Sequence, residues 1–482
     1  MNKMSIDDPT APRLLSEAES RRVIAEIKDL CPQDGGLSVT VLSWWAGGQR
    51  WARNRASMTS DQRDVRVLIT RRLRKAQASV TANKLDRASL RAAVNLVEHY
   101  CRRWAGSSRR DMPIEPPLLP SPGASVWSDH TFNRTADENG RAVMRLTQRA
   151  EEHGLLSAGY LETGGAHAVK YERDEWGRTS DRVGQVTQAQ CSVTVRHPQG
   201  TGSGWAGNTS FDLARIDPAK IAKVAFDKCL ASVNPVRIEP GRYQTILEPQ
   251  AAATFFQLLV ESMRRLPPEQ SASGPFFLGP DGAVNRLRSK IGLKVVDERI
   301  TITHDPADPL VGTHADPGFR KVTLVDRGIL TALYNGYKHA VNELYDIGEQ
   351  SLALPRTSFA VQGTTTTLEE MIHSTKRGLL VTRVSLPQLI NGQSLLYTGV
   401  TRDGLWLIEN GKITKAVRNF RWTESPLFIF NNLEEIGVAV PTYDPVNIRS
   451  ALTGSFANSL NNVVVPAVKV NDFSFTSTID AI

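Results

Sequence analysis

Residues Ser289 to Leu330 read S-K-I-G-L-K-V-V-D-E-R-I-T-I-T-H-D-P-A-D-P-L-V-G-T-H-A-D-P-G-F-R-K-V-T-L-V-D-R-G-I-L. A glycine-bearing strand leads into an alternating one, Arg299-Ile300-Thr301-Ile302-Thr303, whose period of two puts the isoleucines on one face. His304 to Gly318 follows as a turn-rich loop, and a third strand ends in Asp326-Arg327-Gly328-Ile329-Leu330. His304, Asp305, Asp308, His314 and Asp316 fall within the loop, and imidazoles with carboxylates are a donor set for a divalent ion. Asp-Pro occurs three times there, however, at Asp305, Asp308 and Asp316. That repetition favours turns, and turns are the better reading.

Working outward, the chain predicts an α+β protein. Toward the C-terminus, Leu379 to Val384, Ser394 to Thr401, Gly404 to Glu409 and Lys412 to Phe420 read as strands. Asp403-Gly404 and Asn410-Gly411 carry hairpin turn chemistry, which predicts a three-strand meander over Leu395 to Phe420. Upstream, Pro249 to Arg265 is an apolar helix behind the strand Tyr243 to Glu248. Asp217 caps a further helix with Pro218 at its first position. Gly154 to Ala206 reads as short strands separated by Gly-rich turns. Near the N-terminus, Ser16 and Glu19 have capping-box spacing before a helix over Glu17 to Leu30. Strands follow from Leu37, with a turn at Gly47-Gly48, and Asp86 caps a helix running to Trp104. Ser107 to Ser125 is rich in Ser and Pro and reads as a linker. The expected division is an N-terminal helix, antiparallel-meander and helix domain with its linker (1–125), a middle segment of Gly-rich strands (126–235), and a larger, mainly antiparallel β domain with a few helices (236–482).

Composition excludes several classes. The 482 residues are 40% hydrophobic and 22% charged, as in ordinary globular proteins. No apolar run approaches the ~18 residues of a membrane span. The segment Met1 to Arg13 is polar, without the apolar centre of a secretory signal, so a cytoplasmic location is expected. Cys31, Cys101, Cys191 and Cys229 are far apart and lack a C-x-x-C pair, which suits free thiols. The net charge of +8 is concentrated early: residues 1 to 110 hold 21 Lys and Arg against 11 Asp and Glu. The densest run is Arg71-Arg72-Leu73-Arg74-Lys75. Such a patch could meet phosphates, but no zinc-finger, helix-turn-helix or ribonucleoprotein motif accompanies it, so nucleic acid is not the expected partner. No Walker loop or dinucleotide fingerprint occurs. Gly202-Ser203-Gly204 is too short for a nucleophile elbow, and His153, His167 and His373 are isolated.

The Ser289 to Leu330 segment resembles the central signature of the TldD/PmbA family, often labelled gyrase modulators and understood as heterodimeric metallopeptidases. Five further segments are similar in the family's order. They are Ser79-Val80-Thr81 into the following helix, Ser157-Ala158-Gly159-Tyr160, Ile238 to Pro249 with its Pro-Gly-x-Tyr core, Lys376 to Arg383, and Val465 to Thr476. Catalytic members carry a His-Glu-x-x-x-His helix, whose histidines hold zinc and whose glutamate activates a metal-bound water, and a C-terminal cysteine that looks like the third ligand. Here the corresponding helix, Pro249 to Arg265, has no histidine, and the last cysteine is Cys229. The resemblance therefore implies a non-catalytic, TldE-like (PmbA-like) subunit with no catalytic or metal-binding residue of its own. It implies zinc in a TldD-like paralogue that completes the heterodimer, and a peptide substrate. Gly202, Ser203 and Gly204, with His314, Asp316 and Arg320, lie in two Gly-bearing loops and are the candidates for peptide or partner contact. The competing reading is that these glycines only make turns. Three alternatives stand beside the subunit. One is a stand-alone homodimeric peptide-binding protein that has lost peptidase function. The others are a nucleic-acid-linked regulator of the gyrase-modulator type and a hydrolase with an unrecognised site.

Overall fold

The computed structural model describes residues 14–73, 76–105, 126–265, 274–281, 286–305, 307–311, 321–335, 358–443 and 462–479. The fold is α+β, built on two main sheets.

The first sheet is antiparallel and has six strands in the order β3-β2-β1-β4-β5-β6. They are β1 (Gly36–Ala52), β2 (Arg55–Leu73), β3 (Ala76–Ala82), β4 (Leu156–Arg173), β5 (Thr179–Arg196) and β6 (Ser203–Ser210). The sheet thus takes strands from both sides of residue 125. β1 does not turn at Gly47-Gly48 as expected; it runs on to Ala52. The turn is made by Arg53 and Asn54, both at positive φ (49° and 62°), with Ala52 opposite Arg55. Two successive left-handed residues in a two-residue loop suit the right-handed twist of a hairpin. The glycines serve packing instead, since a Cβ on Gly48 would lie 2.6 Å from Glu162 Cγ on β4. Gly154 to Ala206 likewise differs from the short strands expected. β4 and β5 are 18 residues each and pair along their whole length. Gly159 sits inside β4 because a Cβ there would come within 2.5 Å of the Trp51 ring.

Side chains alternate across the sheet. One face carries Val39, Val41, Val67, Ile69 and Val169 against α1 (Glu17–Leu30) and α2 (Arg87–Ala105). Farther along the same face, Trp51, Leu161, Cys191 and Val193 pack on two more helices, here α4 (Ala136–Glu152) and α5 (Pro218–Ala231), with the short α3 (Asp129–Phe132) between α2 and α4. Ser16 and Glu19 form the expected capping box, and Thr135 with Glu138 forms a second one on α4. Asp217 caps α5 through the Ala219 and Lys220 amides.

The second sheet has eleven strands. β7 (Gly241–Leu247) pairs parallel with Arg377–Asn391 and antiparallel with the last strand, Val463–Thr478. Arg377–Asn391 pairs with Leu396–Glu409, which pairs with Phe420–Glu424, which pairs with Val463–Thr478. These five strands therefore close a ring. Helix α6 (Pro249–Ser262) buries Ala251, Phe255, Phe256, Leu259 and Val260 against one side of it. The helix Leu368–His373 covers part of the other side, where Met371 packs with Ile246, Leu380 and Trp406. Asn410-Gly411 is the expected hairpin, with φ of 50° and 76° and Glu409 opposite Lys412. Asp403-Gly404 is not a hairpin. It lies inside the continuous strand Leu396–Glu409, where the register against the neighbouring strand shifts between Val381 and Arg383. The shift makes it a bulge.

Candidate functional site

Helix α6 occupies the position that the resemblance gives to the metal-binding helix. Pro249 stands at its first turn, where a missing amide hydrogen costs nothing. Phe256 stacks on Phe430 at 4.0 Å between ring centroids, and Phe255 meets Trp422 edge-on at 5.0 Å. Gln250 is the polar exception near its start: it accepts from the Tyr443 amide and donates to the Tyr443 carbonyl. Residues 249–262 offer no imidazole or thiolate, nor does the facing strand Val463–Thr478. The donor set does not fit zinc, whose sites are built from His, Cys and carboxylate. Among the described residues no group of three His, Cys, Asp or Glu is arranged to hold a metal.

The two sheets meet through a buried polar joint. Ser203 Oγ donates to Asp403 Oδ1 at 2.6 Å, and Arg383 Nε donates to Asp403 Oδ2 at 2.6 Å. The Arg383 guanidinium lies over the Trp205 ring, and burial pulls its pKa down. Lys228 of α5 donates to Glu248 at 2.7 Å, and Thr382 Oγ donates to the same carboxylate at 3.1 Å. Asp403 is fully shielded from solvent, and its ion pair with Arg383 supplies the counter-charge at the bulge. A buried charge is tolerable only when paired.

Two of the candidate contact glycines fall at this joint. Gly202 and Gly204 are buried with Ser203, and a Cβ on either would lie within 2.6 Å of backbone atoms of α5. They let α5 lie against β6. Ser203 exchanges hydrogen bonds with Ser232 at the end of α5 as well. Gly202, Ser203 and Gly204 are thus together, inside the molecule. His314, Asp316 and Arg320 lie outside the described residues. Of the other loop residues, Asp305 accepts from the Ala307 amide and pairs with Lys321, while Asp308 accepts from the Leu310 amide. Both are turn-forming contacts. His304 is buried, with Nδ1 2.7 Å from the Ser358 carbonyl oxygen. The basic run is partly internal: Arg71 is fully buried and pairs with Glu98 and Asp34, whereas Arg74 and Lys75 lie outside the described residues.

Sequence reasoning missed a second polar set, on the face of the first sheet turned away from the four helices. Glu162 of β4 sits opposite Gln190 of β5, and Gln190 opposite Thr209 of β6. Gln190 Nε2 donates to Glu162 at 3.1 Å. Burial pushes the Glu162 carboxyl up to about 7, against the pull of that bond. One pair further along, Ser192 is hydrogen-bonded to Tyr443, whose ring meets Trp205 edge-on at 5.9 Å. Tyr443 therefore docks the ring half onto this face. The available signal was the even-numbered polar run Glu162, Gln188, Gln190 and Ser192, visible only once β4 and β5 are read as long strands.

This is a two-sheet α+β architecture whose core helix offers neither imidazole nor thiolate. Residues 240–477 match the PmbA/TldA metallopeptidase C-terminal domain. The C-terminal part of the chain, residues 240–477, thus belongs to the metallopeptidase-related PmbA/TldD family. None of the curated proteins matches the sequence. Solved structures share the fold over almost the whole chain. TldE from Thermococcus kodakarensis superposes with a TM-score of 0.73 at 16% identity, covering 95% of this chain and 99% of that one. A proposed modulator of a DNA gyrase from Thermotoga maritima gives 0.72 at 13%, covering 95% and 99%. One from Bacteroides thetaiotaomicron gives 0.73 at 13%, covering 96% and 100%. Among the described residues no helix is long and apolar enough to cross a membrane.

Proposed function

We propose that this chain is the non-catalytic, TldE-like subunit of a heterodimeric zinc metallopeptidase that acts on peptides or unfolded polypeptides in the cytoplasm. The carrying observation is α6. Within a metallopeptidase-related family, its residues 249–262 have neither histidine nor cysteine, and both its phenylalanines are fully buried among aromatic partners. Zinc, and the acid–base chemistry that depends on it, then belongs to a TldD-like paralogue. This chain supplies the surface that completes the working pair.

A tagged pull-down from the native host, with mass spectrometry of what co-elutes, tests the reading. The expected result is a stoichiometric paralogue carrying His-Glu-x-x-x-His, and zinc-dependent peptide cleavage by the pair but not by this chain alone. Recovery of the chain by itself, as a metal-free homodimer, would replace the subunit with a stand-alone binding protein.

A further inference from the structure

The joint between the two sheets closes over a carboxyl group that has no counter-charge. Glu162 is 7% exposed, and among the described residues its one hydrogen-bond partner is the Gln190 amide. Its side chain lies across Gly48 of β1, where a Cβ would come within 2.6 Å of Glu162 Cγ. The cover comes from the other half of the molecule. Tyr443 is bonded to Ser192, two residues along β5 from Gln190, and lies within electrostatic reach of Glu162. Gln250 of α6 holds Tyr443 by both its amide and its carbonyl. Whatever lifts the ring half from the first sheet therefore lifts Tyr443 away from Glu162.

No charge on the surrounding elements compensates the carboxylate. On β1 the nearest cation of this face is Arg50, which is exposed and held over the Tyr160 ring of β4; it makes no ion pair with Glu162. Near Glu162, β5 and β6 offer this face amides and hydroxyls but no ionisable group. From the ring half come Tyr443 and, beyond Trp205, Arg383, whose charge is taken by Asp403. An ionised carboxylate shut away from water and cations is costly. Burial accordingly pushes the Glu162 carboxyl up to about 7. Water admitted by the departure of Tyr443 would return it to its ordinary range. Ionisation and docking thus oppose each other. We infer that Glu162 makes the joint between the two sheets a pH-sensitive latch, closed while the carboxyl holds its proton and loosened when it ionises. Gln190 serves both forms, because its amide donates to the carboxylate and, turned over, accepts from the acid. The latch is at full strength below pH 4.5 and is lost as pH rises through about 7. A carboxyl titrating at 4.5 uncovered and at about 7 covered weakens docking about 70-fold between pH 5 and pH 8.

The test places a thiol under the joint of the full chain. Thr209→Cys is nearly isosteric, at a residue 5% exposed whose hydroxyl makes no hydrogen bond, and all four native cysteines are buried. The probe is 4,4′-dithiodipyridine, with rates taken relative to free cysteine at the same pH and sites resolved by peptide mass mapping. Labelling of the introduced thiol should rise at least about tenfold from pH 5 to pH 8, and less than about twofold when Glu162→Gln is added. It should also run at least about tenfold faster than labelling of Cys191, on the helix face of the same strand pair, which reacts only when the sheet itself opens. Tyr443→Ala, which removes the cover, should make the introduced thiol fast at both ends of the range. A flat profile in the parent, a rise that survives Glu162→Gln, or a rate no greater than that of Cys191 would overturn the latch. So would a Tyr443→Ala protein as protected as the parent.

Discussion

The two faces of the first sheet are made by the same six strands and differ by one residue of register. The helix face buries Val39, Val41, Ile69, Leu161 and Val193 against four helices. The opposite face buries Glu162, Gln188, Gln190 and Ser192, where Tyr443 docks the ring half. The first face is optimised for stability, because every buried methylene there gains transfer free energy and contacts. The second buries amides and a carboxylate, whose desolvation has to be offset by hydrogen bonds such as Gln190 to Glu162.

The sharpest way to break the contrast is on the helix face. Trp51→Ala removes a side chain that is 1% exposed and fills the space left by Gly159. It should lower stability by about 3–5 kcal/mol, read from the shift in denaturation midpoint. At the joint with the second sheet, Asp403→Ala would leave the mostly buried Arg383 without its counter-charge, at up to about 3–5 kcal/mol. Asp403→Ala should also loosen the joint between the sheets, seen as earlier proteolysis between residues 197 and 202. An Asp403→Ala protein as stable as the parent would mean that Ser203 and Trp205 hold the joint without it.

A smaller effect separates the faces by pH. The Glu162 carboxyl, raised from 4.5 to about 7 by burial, binds its proton more tightly in the folded state. Its contribution is fully present below pH 4.5 and is lost as pH rises through 7. A shift of this size corresponds to something on the order of 3 kcal/mol. Glu424, raised to about 7 by burial as well, adds a second loss over the same window. Glu162→Gln should remove roughly half of the decline between pH 5 and pH 8 in urea titrations; an unchanged slope would mean that Glu162 is solvated. Smallest of all, Thr209→Val should change stability by less than about 1 kcal/mol, and in the stabilising direction, because it replaces an unpartnered hydroxyl with a methyl of similar shape. Calorimetry of the variant checks the sign.

Local signals in the sequence were legible where they act locally. The Ser16–Glu19 capping box, Pro218 after Asp217, and Asn410-Gly411 all do what their chemistry predicts, because each is satisfied by atoms within a few residues. Gly47-Gly48, Asp403-Gly404 and the glycines of β4 carry the same turn signature and lie inside strands. Their reasons are distant: the Glu162 side chain over Gly48, Trp51 against Gly159, Arg383 and Ser203 on Asp403. Tertiary contacts of this kind leave no periodic trace. The candidate site was legible only in the negative, as a helix without histidine or cysteine. The polar row was not, because Gln188, Gln190 and Thr209 become neighbours only through the pairing of β5 with β4 and β6.

The closed ring has a further consequence for how the molecule comes into being. Gly241–Leu247 completes its pairing with the last strand, Val463–Thr478, so one of its seams joins residues more than two hundred positions apart. Closure of so long a loop is slow, and strand partners wait exposed until it happens. The first sheet, by contrast, has all its strands once Ser210 has emerged from the ribosome. During synthesis the N-terminal sheet can assemble while the ring strands are still being made, and the newborn chain is most open to aggregation in that interval.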